Sequence, residues 1–240
     1  MKSKSTSSFF RKTQFVNSIA IGYLFLSIVA VVLEFFKDKD LLYLVKPLVI
    51  PSLLFMYWCS TRRPNLMYIF ALLAAWIANL FAQSNLLIAM VVGTLCVMIY
   101  KILFVQLLNN SLRSAAFFAL AVSAIPFILF YTLLTIITYS TVKEDLMLYI
   151  TQCIIFVIMG AYALANFFSK SRKSSVYLVV SVLCLLVDQV LSFILNGNFE
   201  AVGLLFFYAG MYLFCRFLVL DEKRRRHHDS FTLQVRSDKN

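Results

Sequence analysis

Long apolar segments alternate with brief polar ones along almost the whole chain. Most apolar segments have roughly the 20 residues that a membrane-spanning helix needs. The joints between them carry charged or turn-forming residues, as hydrated loops require. The apolar segments are residues 16–36, 41–58, 66–83, 86–108, 115–138, 147–168, 176–195 and 200–220. This pattern predicts an all-α polytopic membrane protein, a bundle of eight transmembrane helices.

The overall composition excludes an ordinary soluble protein. Of the 240 residues, 62% are hydrophobic and 14% are charged, and the mean hydropathy is +0.86. Soluble domains are about 45–50% apolar and about 25% charged. A soluble fold needs a polar exterior, which this composition cannot supply. Eight spans with short loops use nearly the whole length, so no separate soluble domain is expected.

The positions of lysine and arginine predict the orientation of the bundle. With eight spans and a cytoplasmic N-terminus, 16 Lys and Arg residues fall in cytoplasmic segments. Only Lys37, Lys39 and Lys143 fall in the loops on the other side. Cytoplasmic loops of membrane proteins carry an excess of basic residues, so both termini are predicted to be cytoplasmic. A seven-span arrangement would place one of the two basic tails outside.

Three segments follow from this topology. Residues 1–14 form a basic cytoplasmic N-terminal segment, residues 15–220 form the eight-helix transmembrane domain, and residues 221–240 form a basic cytoplasmic tail that is expected to be disordered. The net charge of +11 indicates anionic lipid head groups as partners of these segments, and not nucleic acid. The first apolar segment is too long for a signal-peptide core, so it is interpreted as a retained helix. The expected location is an integral multi-pass position, in the inner (plasma) membrane if the chain is bacterial.

Ionisable side chains inside the apolar segments are the candidates for a functional site. A charge at mid-bilayer costs at least about 2.5–3.5 kcal/mol, so such residues are usually paired or functional. The candidates are Lys46, Lys101, Asp188 and Arg216. Asp188 lies about 18 Å from the cytoplasmic end of span seven, and its side chain is too short to reach either interface. Arg216 lies one turn from the end of span eight, where its side chain can reach lipid phosphate.

Depth along the helix axes groups several of these residues. Asn79 in span three and Lys46 in span two reach nearly the same level as Asp188, and Lys101 lies nearer the cytoplasmic surface. Asn79, Lys46 and Asp188 are therefore expected to converge on one polar cavity if their helices are neighbours. Two interpretations of Asp188 remain open: a catalytic or ligand-binding carboxyl group, or a structural ion pair with Lys101 or Lys46. No metal site and no cofactor are predicted, because the cysteines lack paired spacing.

Short motifs in spans two and seven resemble those of a known family. Lys46-Pro47-Leu48 opens span two, and Leu185-Leu186-Val187-Asp188-Gln189 lies in span seven. Both resemble signature segments of the YhhN (lysoplasmalogenase) family, and the resemblance extends over about residues 40 to 220. It implies an eight-span fold and hydrolysis of the vinyl ether bond of a lysoplasmalogen or related lysophospholipid. Asp188 is then the expected general acid, because vinyl ether cleavage begins with proton delivery to carbon.

The chain departs from the family pattern at several of the positions that the resemblance implies. Asn79 stands where the family has a second acid, and Lys101 stands where it has a histidine. The glutamine expected in span eight falls at Met211 or Tyr212. Asn79 and Lys101 are expected to orient substrate or tune charge beside Asp188, and Lys46 and Tyr212 are expected to bind substrate. Since asparagine exchanges no proton at neutral pH, a two-carboxylate mechanism is not expected. The alternative function is a non-catalytic lipid-binding or transport-like membrane protein.

Overall fold

The computed structural model describes residues 3–81, 86–111, 117–143, 146–170, 172–194 and 200–237. These residues form eight α-helices joined by short connections. In chain order the helices are α1 (Ser3–Phe36), α2 (Lys39–Ser60), α3 (Leu66–Phe81), α4 (Leu87–Ser111), α5 (Phe117–Val142), α6 (Leu146–Lys170), α7 (Lys173–Ile194) and α8 (Glu200–Ser237). The prediction of an all-α bundle is confirmed.

Seven of the eight helices are long and apolar enough to cross a membrane. The shorter one is α3, whose 16 residues span about 24 Å against a hydrocarbon core of about 30 Å. Helix α8 continues past residue 220 to Ser237, through most of the segment that was expected to be a disordered tail. This segment begins with Asp221-Glu222-Lys223-Arg224, and Glu, Lys and Arg are good helix formers.

Seven helices form a closed ring, and α5 lies outside it. Around the ring the packing order is α1, α2, α3, α4, α6, α7 and α8, and α8 packs back on α1. Helix α5 packs mainly on α6 and also touches α7. The most extensive helix–helix contacts are within the hairpins α7–α8 and α3–α4. The ring leaves an interior that no single helix pair encloses, and this interior holds the polar residues described below.

The outer surface of the bundle is apolar, as contact with lipid requires. Large hydrophobic side chains point outward on several helices, for example Phe25, Leu44, Ile88, Phe118 and Ile137, each at least 65% exposed. In water such an apolar surface would promote aggregation, whereas in a bilayer it contacts the hydrocarbon chains of lipids. The fold is therefore that of a multi-pass integral membrane protein.

The α1–α2 connection is a tight, capped turn. Lys37 has a left-handed backbone with φ of 55°. The N–H groups of Lys37 and Asp38 donate to the carbonyls of Glu34 and Leu33, both at 3.1 Å, which is the Schellman pattern for ending a helix. The Asp38 side chain then accepts from the backbone N–H of Leu41 at 3.3 Å and caps α2. This turn brings the last turn of α1 beside the first turns of α2.

Two prolines inside α2 create a contact with α3. Pro51 has no N–H, so the carbonyl of Pro47 loses its partner four residues later in the helix. Trp76 of α3 donates its indole N–H to that carbonyl at 2.8 Å. The hydrogen bond removed inside one helix is thus replaced by one between two helices. It also fixes the side of α2 that carries Lys46 toward the ring interior.

Rings of aromatic side chains fill one end of the ring interior. This aromatic cluster consists of Tyr57, Tyr68, Phe104, Phe214 and Phe217, each at most 2% exposed. Phe104 and Phe214 are stacked with centroids 4.2 Å apart, and Tyr57 meets Tyr68 edge-on at 4.6 Å. The cluster joins α2, α3, α4 and α8. It lies toward the end of the bundle where α2 ends and α3 begins, called here the near end.

Candidate functional site

A cavity of about 430 Å³ opens in the opposite half of the ring interior. Its wall contains both charged and carboxamide side chains, together with Tyr100 and a few apolar residues. The charged and amide-bearing lining residues are Glu34, Lys46, Asn79, Lys101, Gln152, Asp188, Gln189 and Glu200. Seven helices contribute a residue to this set: α1, α2, α3, α4, α6, α7 and α8. The cavity is therefore a product of the whole ring.

The cavity belongs to the far end of the bundle, defined as the end where α1 ends and α2 begins. Glu34 is in the last turn of α1, and Glu200 is the first residue of α8. Asp188 lies about 9 Å from the end of α7 at Ile194. Lys101 is the deepest charged lining residue, about 21 Å from the start of α4. The wall therefore grades from carboxylates at the mouth to a lysine at the base.

Four of the five residues that were expected to act in catalysis or substrate binding line this one cavity: Asp188, Asn79, Lys46 and Lys101. The expected convergence of Asn79, Lys46 and Asp188 is therefore observed. Tyr212 is not among the lining residues. Its ring stacks on Tyr23 of α1 with centroids 5.9 Å apart and an interplanar angle of 14°. Tyr212 thus takes part in the packing of α8 on α1 and does not line the cavity.

Lys101 is held by carboxamides. Its Nζ donates to Oε1 of Gln189 at 2.6 Å and to Oε1 of Gln152 at 2.9 Å. The same ammonium lies 4.8 Å from the centroid of the Phe156 ring, a cation–π distance. The residue is only 3% exposed, so it reaches neither interface. Its side chain crosses the ring interior and connects α4 to α6 and α7.

The Asp188 carboxylate faces the cavity beside Gly203 of α8. A Cβ atom built on Gly203 would lie 3.2 Å from Oδ1 of Asp188, so the glycine leaves the space that the carboxylate occupies. Within the part of the chain that the structure describes, neither Lys46 nor Lys101 forms an ion pair with Asp188. Among the described residues, Asp188 and Lys101 therefore interact electrostatically without direct contact. The carboxamides of Gln152 and Gln189 hold Lys101, and a different carboxylate, Glu34, holds Lys46.

The partner of Lys46 is Glu34. Their side chains form an ion pair with Nζ and Oε2 3.4 Å apart, and both are about 15% exposed or less. The α1–α2 turn explains the pair, because it places the end of α1 beside the second turn of α2. The carboxyl group of Glu200 interacts electrostatically with both Glu34 and Lys46. These three side chains form the mouth cluster, which joins α1, α2 and α8.

Asn79 and Arg216 have local explanations. The Asn79 amide donates to the carbonyl of Ala75, one turn earlier in α3, at 3.1 Å, which leaves its amide oxygen available to the cavity that it lines. Arg216 is half-buried near the aromatic cluster's end of α8 and does not line the cavity. The expectation that it reaches toward lipid phosphate is not tested by these contacts.

Several lining residues were missed from the sequence. Glu34 falls at the end of an apolar segment and Glu200 at the start of one. In the sequence, both therefore resemble charged residues of the hydrated loops. Gln152 and Gln189 are uncharged, and attention to ionisable groups passed over them. Gln189 directly follows Asp188, and a polar pair inside a span was an available signal. For Gln152 the only signal was a carboxamide within an otherwise apolar segment.

A second depression, of about 510 Å³, lies along α5 and is lined by Thr132, Thr135, Ile136 and Tyr139. All four residues belong to one helix. The threonine hydroxyls donate to carbonyls of their own helix, Thr132 to Ile128 and Thr135 to Tyr131. The depression carries no charged side chain, so we regard the charged cavity as the candidate site despite its smaller volume.

Among the residues that the structure describes, no group of three or more His, Cys, Asp and Glu side chains is arranged to hold a metal ion. Comparisons of the chain with protein-family profiles, with curated proteins and with solved structures found no match. The class that the fold and the cavity define is therefore a multi-pass helical membrane protein with an internal charged cavity. The resemblance to the YhhN family rests on the motifs quoted above.

Proposed function

We propose that this chain is a YhhN-like membrane hydrolase that cleaves the vinyl ether bond of a lysoplasmalogen or a related lysophospholipid inside the charged cavity. Asp188 is the proton donor in this proposal. The observation that carries it is the placement of the Asp188 carboxyl group in the cavity wall, with no ion-pair partner among the described residues. A carboxyl group committed to a salt bridge would be a poor proton donor, whereas this one borders the cavity and has Lys101 as an electrostatic neighbour without direct contact.

The chemistry requires a proton at carbon and then water at the neighbouring carbon. Protonation of the vinyl ether produces an oxocarbenium ion, which water attacks to give a hemiacetal. An amphiphilic substrate fits the wall of the cavity, since Tyr100, Leu204 and Phe207 line it together with the charged residues. Lys46 at the mouth is suited to a phosphate, because an ammonium group is a strong donor to anions.

The aromatic cluster argues against the transport-like alternative. Tyr100 lines the cavity and meets Phe104 of the cluster edge-on at 5.8 Å. Below this contact the interior is filled by side chains that are 2% exposed or less. A polar solute would have to displace several packed rings to pass through. The arrangement favours a cavity that is entered and left from one end.

The second candidate function is a lipid-binding protein without hydrolytic activity. It is favoured by the carboxamide cradle around Lys101, which places a lysine held by two hydrogen bonds where the resemblance implies a histidine. Such a protein would bind the same lysophospholipid and release no aldehyde. Equilibrium binding of a radiolabelled lysophospholipid, measured beside turnover, separates the two functions.

We further infer eight membrane crossings with both termini cytoplasmic. The basic residues support this orientation, and the ring supports the crossing of α3, because α3 packs between α2 and α4 along the same bundle. The test is a set of reporter fusions. A reporter at Lys143, in the α5–α6 connection, is expected to read as non-cytoplasmic. A cytoplasmic reading there would contradict the eight-span orientation.

The experiment for the hydrolase proposal is aldehyde release from a lysoplasmalogen by the detergent-purified protein. The wild type is expected to release aldehyde, and Asp188→Asn is expected to lose turnover while keeping the elution volume and thermal stability of the wild type. The matched control is Asp40→Asn, an exposed acid in the first turn of α2 that lies outside the cavity lining and should keep full turnover. Aldehyde release by Asp188→Asn at the wild-type rate would refute the assignment.

A further inference from the structure

We propose that Glu200 is a second catalytic carboxyl group, the general base that activates water in the cavity. The inference rests on the proposed hydrolase function and deepens it. The sequence offered no second acid, because asparagine stands at position 79. The structure supplies one from a different helix, since Glu200 of α8 lines the same cavity as Asp188 of α7.

The spacing along α8 places Glu200 one turn before the glycine that borders Asp188, on the helix adjacent to that of Asp188. Gly203 touches Asp188, as its virtual Cβ lies 3.2 Å from Oδ1. Glu200 is three residues before Gly203 and therefore lies on the same face of α8, with Cβ positions about 5–6 Å apart. The glutamate side chain spans part of that distance toward the cavity. An acid–base pair that acts across an oxocarbenium ion, with room for one water, is separated by about 6.5–9.5 Å in inverting glycosidases.

The other carboxylate at the mouth is already committed. Glu34 accepts from Lys46 at 3.4 Å and closes the ion pair between α1 and α2. Glu200 is the more exposed of the two glutamates. It interacts electrostatically with both the Glu34 carboxyl group and the Lys46 ammonium group. The position at the mouth gives Glu200 access to water, and its side chain also shares a hydrogen bond with Glu34. Glu200 is the more water-accessible of the two glutamates, and it is the base in this proposal.

Hydration then uses both groups. The Asp188 carboxyl donates its proton to the β-carbon of the vinyl ether, and the electron pair of the C=C bond forms the new C–H bond. Water attacks the α-carbon of the resulting oxocarbenium ion as the Glu200 carboxylate takes one of its protons. The product of this step is a hemiacetal, with Asp188 ionised and Glu200 protonated.

Collapse of the hemiacetal restores both groups. The Asp188 carboxylate takes the proton of the hemiacetal hydroxyl, and the C=O bond of the aldehyde forms. The bond between this carbon and the glycerol oxygen breaks, and Glu200 donates its proton to the departing oxygen. One water is consumed, a fatty aldehyde and a glycerophospho head group with a free hydroxyl are released, and no oxidant or metal is required.

The test is chemical rescue in the detergent-purified full chain. Glu200→Gln is expected to lower kcat by about 10²- to 10⁴-fold, the usual contribution of a positioned base. Glu200→Ala is expected to lose a similar factor and to regain turnover when sodium formate is added, because formate fits the vacated space and supplies a carboxylate. Formate should not restore Asp188→Ala, and it should not alter Asp40→Asn, the control outside the cavity.

The outcomes separate this inference from the proposed function. Turnover by Glu200→Gln at the wild-type rate, with Asp188→Asn inactive, overturns the role of Glu200 and leaves the hydrolase intact. Folded Glu200→Ala that stays inactive in formate overturns it as well, as does rescue of Glu34→Ala in place of Glu200→Ala. A wild type that binds lysoplasmalogen and releases no aldehyde ends both proposals. Elution volume and thermal stability identify any variant that fails to fold.

Discussion

The two halves of the ring interior differ in the kind of side chain that lines them. The far half holds the charged cavity, with three carboxylates and two lysines among its lining residues. The near half holds the aromatic cluster, whose members are almost completely buried. Tyr100 lies between them, lining the cavity and contacting Phe104 at 5.8 Å. One bundle therefore contains both a charged cavity and a packed aromatic core.

The difference shows how a chain this apolar carries polar groups inside the membrane. Lys101 is surrounded by carboxamide oxygens and an aromatic face, and Lys46 is paired with a carboxylate, so each buried cation has compensation. Packed rings supply dispersion contacts that hold the helices around the cavity. We expect stability to depend on the aromatic cluster and function to depend on the cavity.

The largest expected effect on stability comes from truncating the aromatic cluster. Phe104→Ala should lower the free energy of unfolding by about 3–5 kcal/mol, since a fully buried ring leaves a cavity behind. Phe104 is 0% exposed and stacks on Phe214. Denaturation in mixed micelles with increasing SDS measures the change. Phe118→Ala, at a site 77% exposed to lipid, is the control and should change little. Equal losses in the two variants would contradict the division.

Two glycines of α8 sharpen the comparison. A Cβ on Gly210 would lie 2.9 Å from the Leu185 side chain and 3.1 Å from the Ser181 carbonyl oxygen, so Gly210→Ala forces α7 and α8 apart. We expect a loss of about 1–3 kcal/mol in the same assay. Gly203→Ala meets the movable Asp188 carboxyl group at 3.2 Å, and should reduce turnover more than stability. The reverse ranking of these two variants would contradict the assignment of Asp188 to the site.

The smallest of these effects concerns the α2–α3 contact that positions Lys46. Trp76→Phe removes the donor to the Pro47 carbonyl and should cost about 1 kcal/mol. Pro51→Ala restores an N–H inside α2 that can bond to that same carbonyl, so Trp76→Phe should cost less in the Pro51→Ala background. Thermal unfolding of the four proteins in this double-mutant cycle measures the coupling. Additive losses would show that the two side chains act independently.

Individual residues show how far the sequence alone could reach. Asp188 and Asn79 were found because a polar group within a long apolar segment is unusual, and their common level follows from the fixed rise of a helix. Glu200 and Glu34 were missed because the ends of apolar segments look like loops. Tyr212 was placed by resemblance, and its ring turned out to stack on Tyr23. The axial position of a residue is readable from sequence, whereas the direction in which its side chain points depends on the neighbouring helices.

The sequence by itself determined the class of this protein, its eight helices and the approximate depth of its intramembrane polar residues. Apolar length and helical rise suffice for these, because both are local properties of the chain. Only the tertiary structure decided that α5 lies outside the ring, that carboxamides hold Lys101, that Glu34 holds Lys46, and that Glu200 shares a cavity with Asp188. Those pairings join residues as many as 88 positions apart, and they depend on how each helix is rotated and which helix packs beside it.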